Sequence, residues 1–278
     1  MNRSTKHALV VPLFGALNPD CLHRLNTWFD QGFLVVVVNN NPPGSSLIGV
    51  TANVVVSHHN KFGLAGGLNA GVASAVSAGA NFITLLDQDS VISSDSLSNL
   101  AMNCGQDLIV GPRVFDQQRR ILHSPACHNV RILIGSGTTF KVSVWRKVGT
   151  FHDWMEIDYI DHEWCSRARR LGLHLSVISQ ATLYQSFGSR HPNELAHRLG
   201  MQSYSPYRRA IALRNLRWLV LQSFVPLDIR LKELVKMLVK PFFWFAFESC
   251  RRRSLLVLFL GLTAPLKKPF PRHKLEAL

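Results

Sequence analysis

The first 90 residues alternate between short apolar runs and segments with helical periodicity. Three apolar runs rich in β-branched residues have the length of strands and end in polar or turn residues: 7–14, 33–40 and 52–57. Between the first two, apolar side chains recur on one helical face and Gly32 follows, which predicts a helix. The Ala-rich segment 62–80 predicts a second helix, and Phe82 to Leu86 a fourth strand. Continuous apolar strands are typical of a mostly parallel sheet covered on both faces, so the pattern predicts an α/β fold.

The pattern continues less regularly over the middle of the chain. Apolar runs predict strands at 107–115 and 131–140, the second with a Gly-Ser-Gly kink, and a short helix at 141–151. Residues 157–179 are predicted to form a loop, a helix that Gly172 ends, and another buried strand.

The composition shifts near residue 206, where arginine and lysine begin to alternate with apolar and aromatic residues. A helix after this point would carry an apolar stripe made of Leu227, Leu231, Leu234, Val235 and Leu238. Its basic residues Arg230, Lys232 and Lys236 would lie elsewhere on the surface. We therefore predict a main domain over 1–220 and a basic amphipathic helical extension over 221–278.

Two interpretations of this extension stay open. Apolar and aromatic residues beside a run of three arginines suit the interface of an anionic membrane, as in the segment around Trp244. Alternatively, the apolar residues pack against the main domain and the basic residues cover the outside. The first interpretation predicts a peripheral protein on a membrane surface.

Composition and charge narrow the class of protein. Of the 278 residues, 47% are hydrophobic and 17% charged, which permits a sizeable core. The net charge of +14 indicates an anionic partner: nucleic acid, a membrane surface or a phosphorylated substrate. The five cysteines form no CxxC pair, which argues for a reducing compartment. The N-terminus lacks the features of a signal peptide, and no apolar stretch reaches the roughly 20 residues of a spanning helix, so we expect a cytoplasmic protein.

Two carboxylates follow the fourth predicted strand in the segment "LLDQDS". Asp87 and Asp89 are two residues apart, so in an extended segment both side chains point to the same side. Ligands of open α/β sheets bind at this end of the strands. The pair could hold Mg²⁺ or Mn²⁺ together with diphosphate oxygens. The alternative is that both acids are ordinary loop residues or cap the next helix.

Acidic residues also crowd the segment "IDYIDHEWCSRARRLG". Asp161 falls in the first turn of the predicted helix, where a carboxylate can point into a cleft and act as a general base. Glu163 and Arg167 are four residues apart and can pair along the helix. The alternative is a solvated helix with ion pairs.

Glycines and asparagines cluster in two further places. The segment "HHNKFGLAGGLNAG" contains Asn60, Asn69 and four glycines, which allow a ligand to approach the backbone closely or a helix to pack tightly on the sheet. Its spacing does not match GxGxxG. Three asparagines, Asn39–Asn41, follow the second strand and suit either a nucleotide contact or an Asn-Pro turn.

Taken in order along the chain, these motifs indicate a family more specifically than any one of them does alone. The chain resembles the family 2 glycosyltransferases with the GT-A fold, most closely their bacterial rhamnosyltransferase branch, over roughly residues 7–220 and above all in "LLDQDS" and "IDYIDHEWCSRARRLG". The resemblance implies an inverting enzyme that moves L-rhamnose from dTDP-rhamnose to a lipid-linked or growing cell-surface glycan. Such an enzyme works on the cytoplasmic face of the plasma membrane.

Carried over by position, the resemblance assigns residue roles. It implies that Asp161 is the catalytic base and that Asp87 and Asp89 hold Mg²⁺ or Mn²⁺ on the donor diphosphate. The other implied donor-binding residues are Pro12, Asn39, Asn41, Asn60, Gly63, Gly66, Asn69, Gln88 and Arg208. Arg214 and Asn215 also match the branch, either as ligands of diphosphate or acceptor or as helix caps.

Two positions depart from the family. Asparagine stands where an aspartate usually binds the nucleobase, among Asn39–Asn41. Gln185 stands where a histidine usually helps to hold the metal or diphosphate, with His191 as a nearby substitute. These departures keep a non-catalytic scaffold of glycan assembly as an alternative.

The net charge keeps a second alternative, a nucleic-acid-binding protein. No RRM, KH or zinc-finger pattern is present, and the basic residues cluster late beside apolar ones, so we expect no nucleic-acid partner.

Overall fold

The computed structural model describes residues 6–45, 47–117, 121–198, 202–247 and 251–270. Cys250, the first five residues and the last eight residues of the predicted extension lie outside this range.

Most strands belong to one large sheet. Their bounds are β1 His7–Leu13, β2 Leu34–Asn39, β3 Val54–Ser57, β4 Phe82–Leu85, β5 Val91–Ile92, β6 Leu108–Asp116, β7 Ile121–Ser124, β8 Thr139–Lys141, β9 His174–Gln185, β10 Ser189–Arg190 and β11 Gln202–Ser203.

The helices lie between the strands and at the C-terminal end. Their bounds are α1 Pro19–Asp30, α2 Gly63–Ser77, α3 Ser94–Asn103, α4 Val142–Val148, α5 Ile160–Arg170, α6 Glu194–Arg198, α7 Pro206–Val220, α8 Leu227–Phe247 and α9 Arg251–Thr263, with a 3₁₀ turn at Asp153–Met155.

The strand order in the nine-stranded sheet is β3-β2-β1-β4-β8-β6-β9-β5, with β7 paired to β6. β1, β2, β3 and β4 are parallel, as the apolar runs predict. β8 inserts antiparallel between β4 and β6, and β6 and β9 are again parallel. Strand ends from both parallel parts therefore meet at one edge, where a ligand can contact several loops.

Both faces of the sheet are covered, because alternate side chains of the central strands point to opposite sides. On one face, Val10 and Val38 pack with α2 and with aromatic residues such as Trp164. On the other face, Leu9 and Val37 pack with α1 and α3. The prediction of an α/β sheet covered on both sides is confirmed.

The predicted strand at 131–140 is correct only for its last residues, in β8. Residues 131–138 form an irregular segment instead. Gly137 adopts a left-handed conformation with φ +83°, which breaks a strand, and the N–H of Gly137 donates to the Leu85 carbonyl. This segment consequently passes along the ends of the central strands.

The helices of the C-terminal part pack on each other and on the main domain. Ala210, Leu213, Trp244, Val257 and Leu260 form a core of their own among α7, α8 and α9. Pro241 lies inside α8. The predicted apolar stripe of α8 does not join this core: Leu231 is 53% exposed and Leu238 59%.

Tight packing of α2 on the sheet suggests a first test. A Cβ at Gly71 would lie 2.4 Å from Val10 Cγ1 and 2.7 Å from Val38 Cγ2. We expect Gly71→Ala to lower the free energy of unfolding by about 1–3 kcal/mol, because overpacking forces shifts in the core that exceed the gain in helix propensity. Urea denaturation checks this, with Ala73→Ser on the exposed side of α2 as the control. Equal midpoints for both variants would contradict the packing argument.

Candidate active site

One large cleft, with a volume of about 1220 Å³, lies between the strand ends and the C-terminal helices. Many of the residues singled out in the sequence line it: Pro12, Asn60, Gly63, Asp87, Gln88, Asp89, Asp161 and Arg208. The sequence motifs are thus brought together, although they come from elements far apart in the chain.

Asp87 is held in place from three sides at the end of β4. Its backbone N–H donates to the hydroxyls of Ser90 and Ser136, each at 3.2 Å. Its carboxylate Oδ2 accepts a hydrogen bond of 2.6 Å from Gln185 Nε2. Burial, and next the negative charge of Asp89, raise the pKa of Asp87 to about 6. The site therefore favours a proton or a cation at this carboxylate.

Gln88 holds the turn between the two acids. Its amide accepts from the N–H of Phe14 at 2.8 Å and donates to the carbonyl of Phe14 at 3.0 Å. Arg24 donates to the Gln88 carbonyl at 3.0 Å. Both ends of the Gln88 amide are therefore engaged with the backbone after β1, and Asp89 projects from a fixed turn.

Asp161 lies in the first turn of α5 and accepts three N–H groups. Gly135 N–H donates to Oδ2 at 3.3 Å, and His162 donates to Oδ1 from its backbone at 2.8 Å and lies 2.9 Å away through Nδ1. Burial alone would raise the pKa of Asp161, but His162 and these N–H groups hold it below its usual value. The same pairing raises the pKa of His162 against the effect of burial. Asp161 is therefore a carboxylate at neutral pH.

The loop before Asp161 has an unusual backbone. Glu156, Asp158 and Tyr159 have φ values of 61°, 59° and 63°, in the left-handed region that residues other than glycine rarely adopt. Asn215 of α7 donates to three carbonyls around this loop, those of Met155, Ile157 and Asp158, at 2.8 to 3.0 Å. The loop is therefore fixed by a side chain from a distant helix.

Arginines of α7 have two different environments. Arg214 is buried and donates to the carbonyls of Trp154 at 2.6 Å and Lys268 at 3.0 Å, and burial lowers its pKa to about 10. Arg208 faces the cleft, pairs with both oxygens of Asp158 at 2.9 and 2.8 Å, and lies over the Tyr204 ring. Arg214 thus positions the loop, and Arg208 is the one of the two that a ligand in the cleft can reach.

The three asparagines after β2 separate into different roles. Asn39 accepts from the N–H of Asn41 at 3.1 Å, and Asn41 accepts from the N–H of Gly15 at 2.6 Å, so both stabilise turns. Asn40 lines the cleft; it donates to the Gly63 carbonyl at 3.3 Å and lies 3.0 Å from His58 Nδ1. The family resemblance implies donor contacts at Asn39 and Asn41, but the residue of this run that lines the cleft is Asn40.

The glycine segment also divides. Gly63 lines the cleft, and a Cβ there would lie 2.7 Å from the Glu156 carbonyl oxygen. A Cβ at Gly66 would meet Phe62 at 2.6 Å, which indicates tight local packing. The Asn69 amide exchanges two hydrogen bonds with the Phe151 backbone, at 3.0 and 2.9 Å. Gly66 and Asn69 are not among the described residues that line the cleft.

Part of the cleft wall was not predicted from the sequence. These residues come mainly from α8 and from the turn before α5: Tyr159, His162, Lys236, Lys240 and Trp244. Glu233 of α8 links them, accepting from the Tyr159 hydroxyl at 3.1 Å and from Lys236. No local motif marks α8 as part of the site, because its place there depends on tertiary packing.

The oxygen donors of the cleft fit a hard divalent cation. Among the described residues no three His, Cys, Asp or Glu side chains form a metal-binding group. Asp87 and Asp89 supply carboxylates, and the Gln185 amide lies beside them. Mg²⁺ and Mn²⁺ prefer such oxygen ligands and usually share their coordination with water or phosphate. His191 is buried, its Nδ1 accepts from the Asn193 N–H, and it is not among the described lining residues.

Known proteins resemble this chain in sequence and in fold. No protein-family model matches it. The dTDP-rhamnosyl transferase RfbF of Shigella flexneri is 26% identical over 249 residues, which cover 80% of this chain and 83% of that protein.

Solved structures show the same architecture at low identity. S. aureus TarS 1–349 in complex with UDP-GlcNAc has a TM-score of 0.56 at 14% identity, covering 93% of this chain and 80% of TarS 1–349. GalNAc-T7 with UDP, GalNAc and Mn²⁺ has a TM-score of 0.53 at 12% identity, covering 90% of this chain and 57% of GalNAc-T7. Another S. aureus TarS structure has a TM-score of 0.60 at 14% identity. The match covers 95% of this chain but only 50% of that TarS chain. The chain has the GT-A fold, as its motifs predict.

The raised pKa of Asp87 has a measurable consequence. The folded chain binds the Asp87 proton more tightly than the unfolded chain, so this group makes stability fall as pH rises from about 4 to about 6. Asp87→Asn removes that slope. We expect the unfolding free energy of the variant, relative to that of the wild type, to be about 1–2 kcal/mol higher at pH 7 than at pH 4.5. Urea denaturation in EDTA measures it, with the exposed Asp107→Asn as the control; a gap between variants that is independent of pH would contradict the assignment.

Proposed function

We propose that this GT-A glycosyltransferase moves L-rhamnose from dTDP-rhamnose to a hydroxyl of a growing or lipid-linked glycan, with inversion and with the help of Mg²⁺ or Mn²⁺. The observation that carries the proposal is the convergence of Asp87, Asp89 and Asp161 in one cleft. The donor sugar rests on the relative of similar length that is named a dTDP-rhamnosyl transferase.

The donor nucleotide would occupy the part of the cleft nearest the ends of β1 and β2. Pro12, Asn40 and Asn60 line that part; Pro12 would offer an apolar ring and Asn60 an amide to a nucleoside, while the Asn40 amide stays engaged with Gly63 and His58. Gly63 also lines the cleft, and its missing Cβ allows the Glu156 backbone to pack closely against it. Asn39 and Asn41, which stabilise the adjacent turns, would act on the donor only through the shape of this wall.

The diphosphate would lie beside the two acids of the "DQDS" turn. Asp87 and Asp89 would hold the divalent cation, which when bound offsets the negative charge of the departing dTDP. Arg208 would assist, since it lines the cleft and its pairing with Asp158 keeps it ordered there.

Asp161 would act as the general base. As the acceptor hydroxyl oxygen forms its bond to the anomeric carbon, the bond from that carbon to the diphosphate oxygen breaks and the hydroxyl proton passes to Asp161. Gly135 and His162 keep the carboxylate oriented and ionised for this step. A weak base suffices, because the hydroxyl becomes strongly acidic as its oxygen bonds to carbon. Attack from the face opposite the leaving group inverts the configuration.

The central test combines donor choice with the base. Wild-type protein should consume dTDP-rhamnose, but not UDP-GlcNAc or a GDP-sugar, in the presence of Mn²⁺. Asp161→Asn should lower the rate by about 100-fold or more, because removing a general base costs about that much. Its thermal stabilisation by dTDP and Mn²⁺ should persist, since Asp161 acts on the acceptor.

The control for this test is Asp107→Asn, an exposed acid paired with Lys147. Full activity of Asp161→Asn would remove Asp161 from the mechanism. A wild-type protein that turns over no nucleotide sugar but still binds membranes would support the scaffold alternative instead.

To use a lipid-linked acceptor, the protein would work at the cytoplasmic face of a membrane. None of the helices in the described ranges has the length and hydropathy needed to cross a membrane. α8 and α9 nevertheless carry large exposed apolar residues: Leu227, Leu231, Leu234, Val235, Leu238, Phe242, Leu255, Phe259 and Leu262. Arg251 and Arg252 are exposed beside them, which suits an interfacial helix pair on anionic lipid.

The same helix also borders the cleft. Lys236, Lys240 and Phe243 of α8 line the cleft. A glycan attached to a lipid in that membrane would therefore enter the cleft beside α8.

The membrane proposal predicts a surface mutation effect. Leu231→Glu combined with Leu238→Glu should lower partitioning onto vesicles with anionic lipid by at least about tenfold, because two exposed apolar side chains become charged. Vesicle sedimentation measures it. Met102→Glu on α3 is the control, since Met102 is 74% exposed on another helix. Equal partitioning of wild type and the double variant would exclude this face as the membrane contact.

A further inference from the structure

Gln185 is the last residue of β9, and its buried side chain lies in the cleft wall against Asp87. The two ends of its amide differ in their hydrogen bonding. Nε2 donates the 2.6 Å hydrogen bond to Asp87 Oδ2, whereas Oε1 is buried and has no hydrogen-bond partner among the described residues. Leaving a buried acceptor unsatisfied costs about 1–3 kcal/mol, so this arrangement calls for an explanation.

The two ends of an amide are nearly equal in size, so a half-turn about the last side-chain bond exchanges them within the same space. Without a cation, that half-turn would bring Oε1 against Asp87 Oδ2, two acceptors in contact. With a cation between them, the same half-turn would satisfy both oxygens. The orientation with Nε2 on Asp87 is therefore the one suited to the metal-free cleft.

We infer that Gln185 is the third protein ligand of the divalent cation held by Asp87 and Asp89, and that its amide turns over when the cation binds. In the metal-free protein, Nε2 stabilises the Asp87 carboxylate. In the loaded protein, Oε1 replaces Nε2 at this place and faces the cation. This inference rests on the proposed metal dependence and adds a ligand and a switch to it.

The chemistry of the ligand set gives the inference a consequence for metal choice. An amide oxygen is a hard, uncharged donor, and with two carboxylates it makes an all-oxygen set. Such a set favours Mg²⁺ and Mn²⁺, whereas an imidazole would favour Zn²⁺ or Co²⁺. The described cleft lining includes one histidine, His162, whose Nδ1 is engaged with Asp161.

The test measures Mn²⁺ binding directly, with the full chain and dTDP present. Electron paramagnetic resonance counts free Mn²⁺ in a titration. We expect Gln185→Leu to weaken Mn²⁺ binding by about tenfold or more, because a ligand oxygen is lost. The matched control is Gln180→Leu, which changes an exposed glutamine of the same strand and should bind Mn²⁺ like wild type.

The variant Gln185→His places a nitrogen at the same point. A coordinated nitrogen can be detected by spectroscopy, so this second test does not depend on the affinity for the metal. We expect pulsed electron paramagnetic resonance of its Mn²⁺ complex to show a directly coordinated ¹⁴N that wild type lacks, and its preference to shift toward Co²⁺ and Zn²⁺. Circular dichroism of each variant without metal confirms that it is folded, so that weak binding reports on the site.

The outcomes separate this inference from the proposed function. Wild-type protein that binds Mn²⁺, with Gln185→Leu binding equally well and Gln185→His showing no coordinated nitrogen, would overturn the role of Gln185 and leave the metal dependence intact. Wild-type protein that binds no Mn²⁺ even with dTDP would overturn both. Weak binding by Gln185→Leu together with a nitrogen signal in Gln185→His supports the inference.

Discussion

The site depends on hydrogen bonds that α7 donates to the backbone of the loop before Asp161. Three residues of that loop, Glu156, Asp158 and Tyr159, have left-handed backbones, which cost of order 1 kcal/mol each. Buried donors from Arg214 and Asn215 offset this cost by satisfying carbonyls that would otherwise be unpaired. The position of the proposed base is thus determined by a helix that begins about 45 residues later in the chain.

Features that a local pattern determines were predictable from the sequence. The parallel strands β1, β2 and β4 follow from continuous apolar runs, and α5 follows from its helical periodicity and the glycine after it. The irregular path of 131–138, the cleft position of Asn40 and the contribution of α8 were not predictable, because each depends on contacts between distant segments. Arg214 and Asn215 illustrate the limit: the sequence indicates that they are special, but only the fold shows that they bind backbone carbonyls.

Charge is distributed unevenly between the site and the rest of the protein. The chain carries a net charge of +14, yet five acids line the cleft, and burial together with the charge of Asp89 raises the pKa of Asp87. The nearby cations are largely engaged: Arg208 with Asp158, and Lys236 with Glu233. The cleft therefore retains a local affinity for positive charge inside a strongly basic protein, which is the reverse of what the overall composition suggests.

Pro241 gives α8 a second property besides its role as a wall. Proline cannot donate to the carbonyl four residues earlier, so the helical hydrogen bonding is interrupted at Met237. The interruption falls between the half that bears Glu233 and Lys236 and the half that bears Phe243 and Trp244. The second half of α8 therefore depends less on its own backbone hydrogen bonds and more on the packing of Trp244 against α7 and α9.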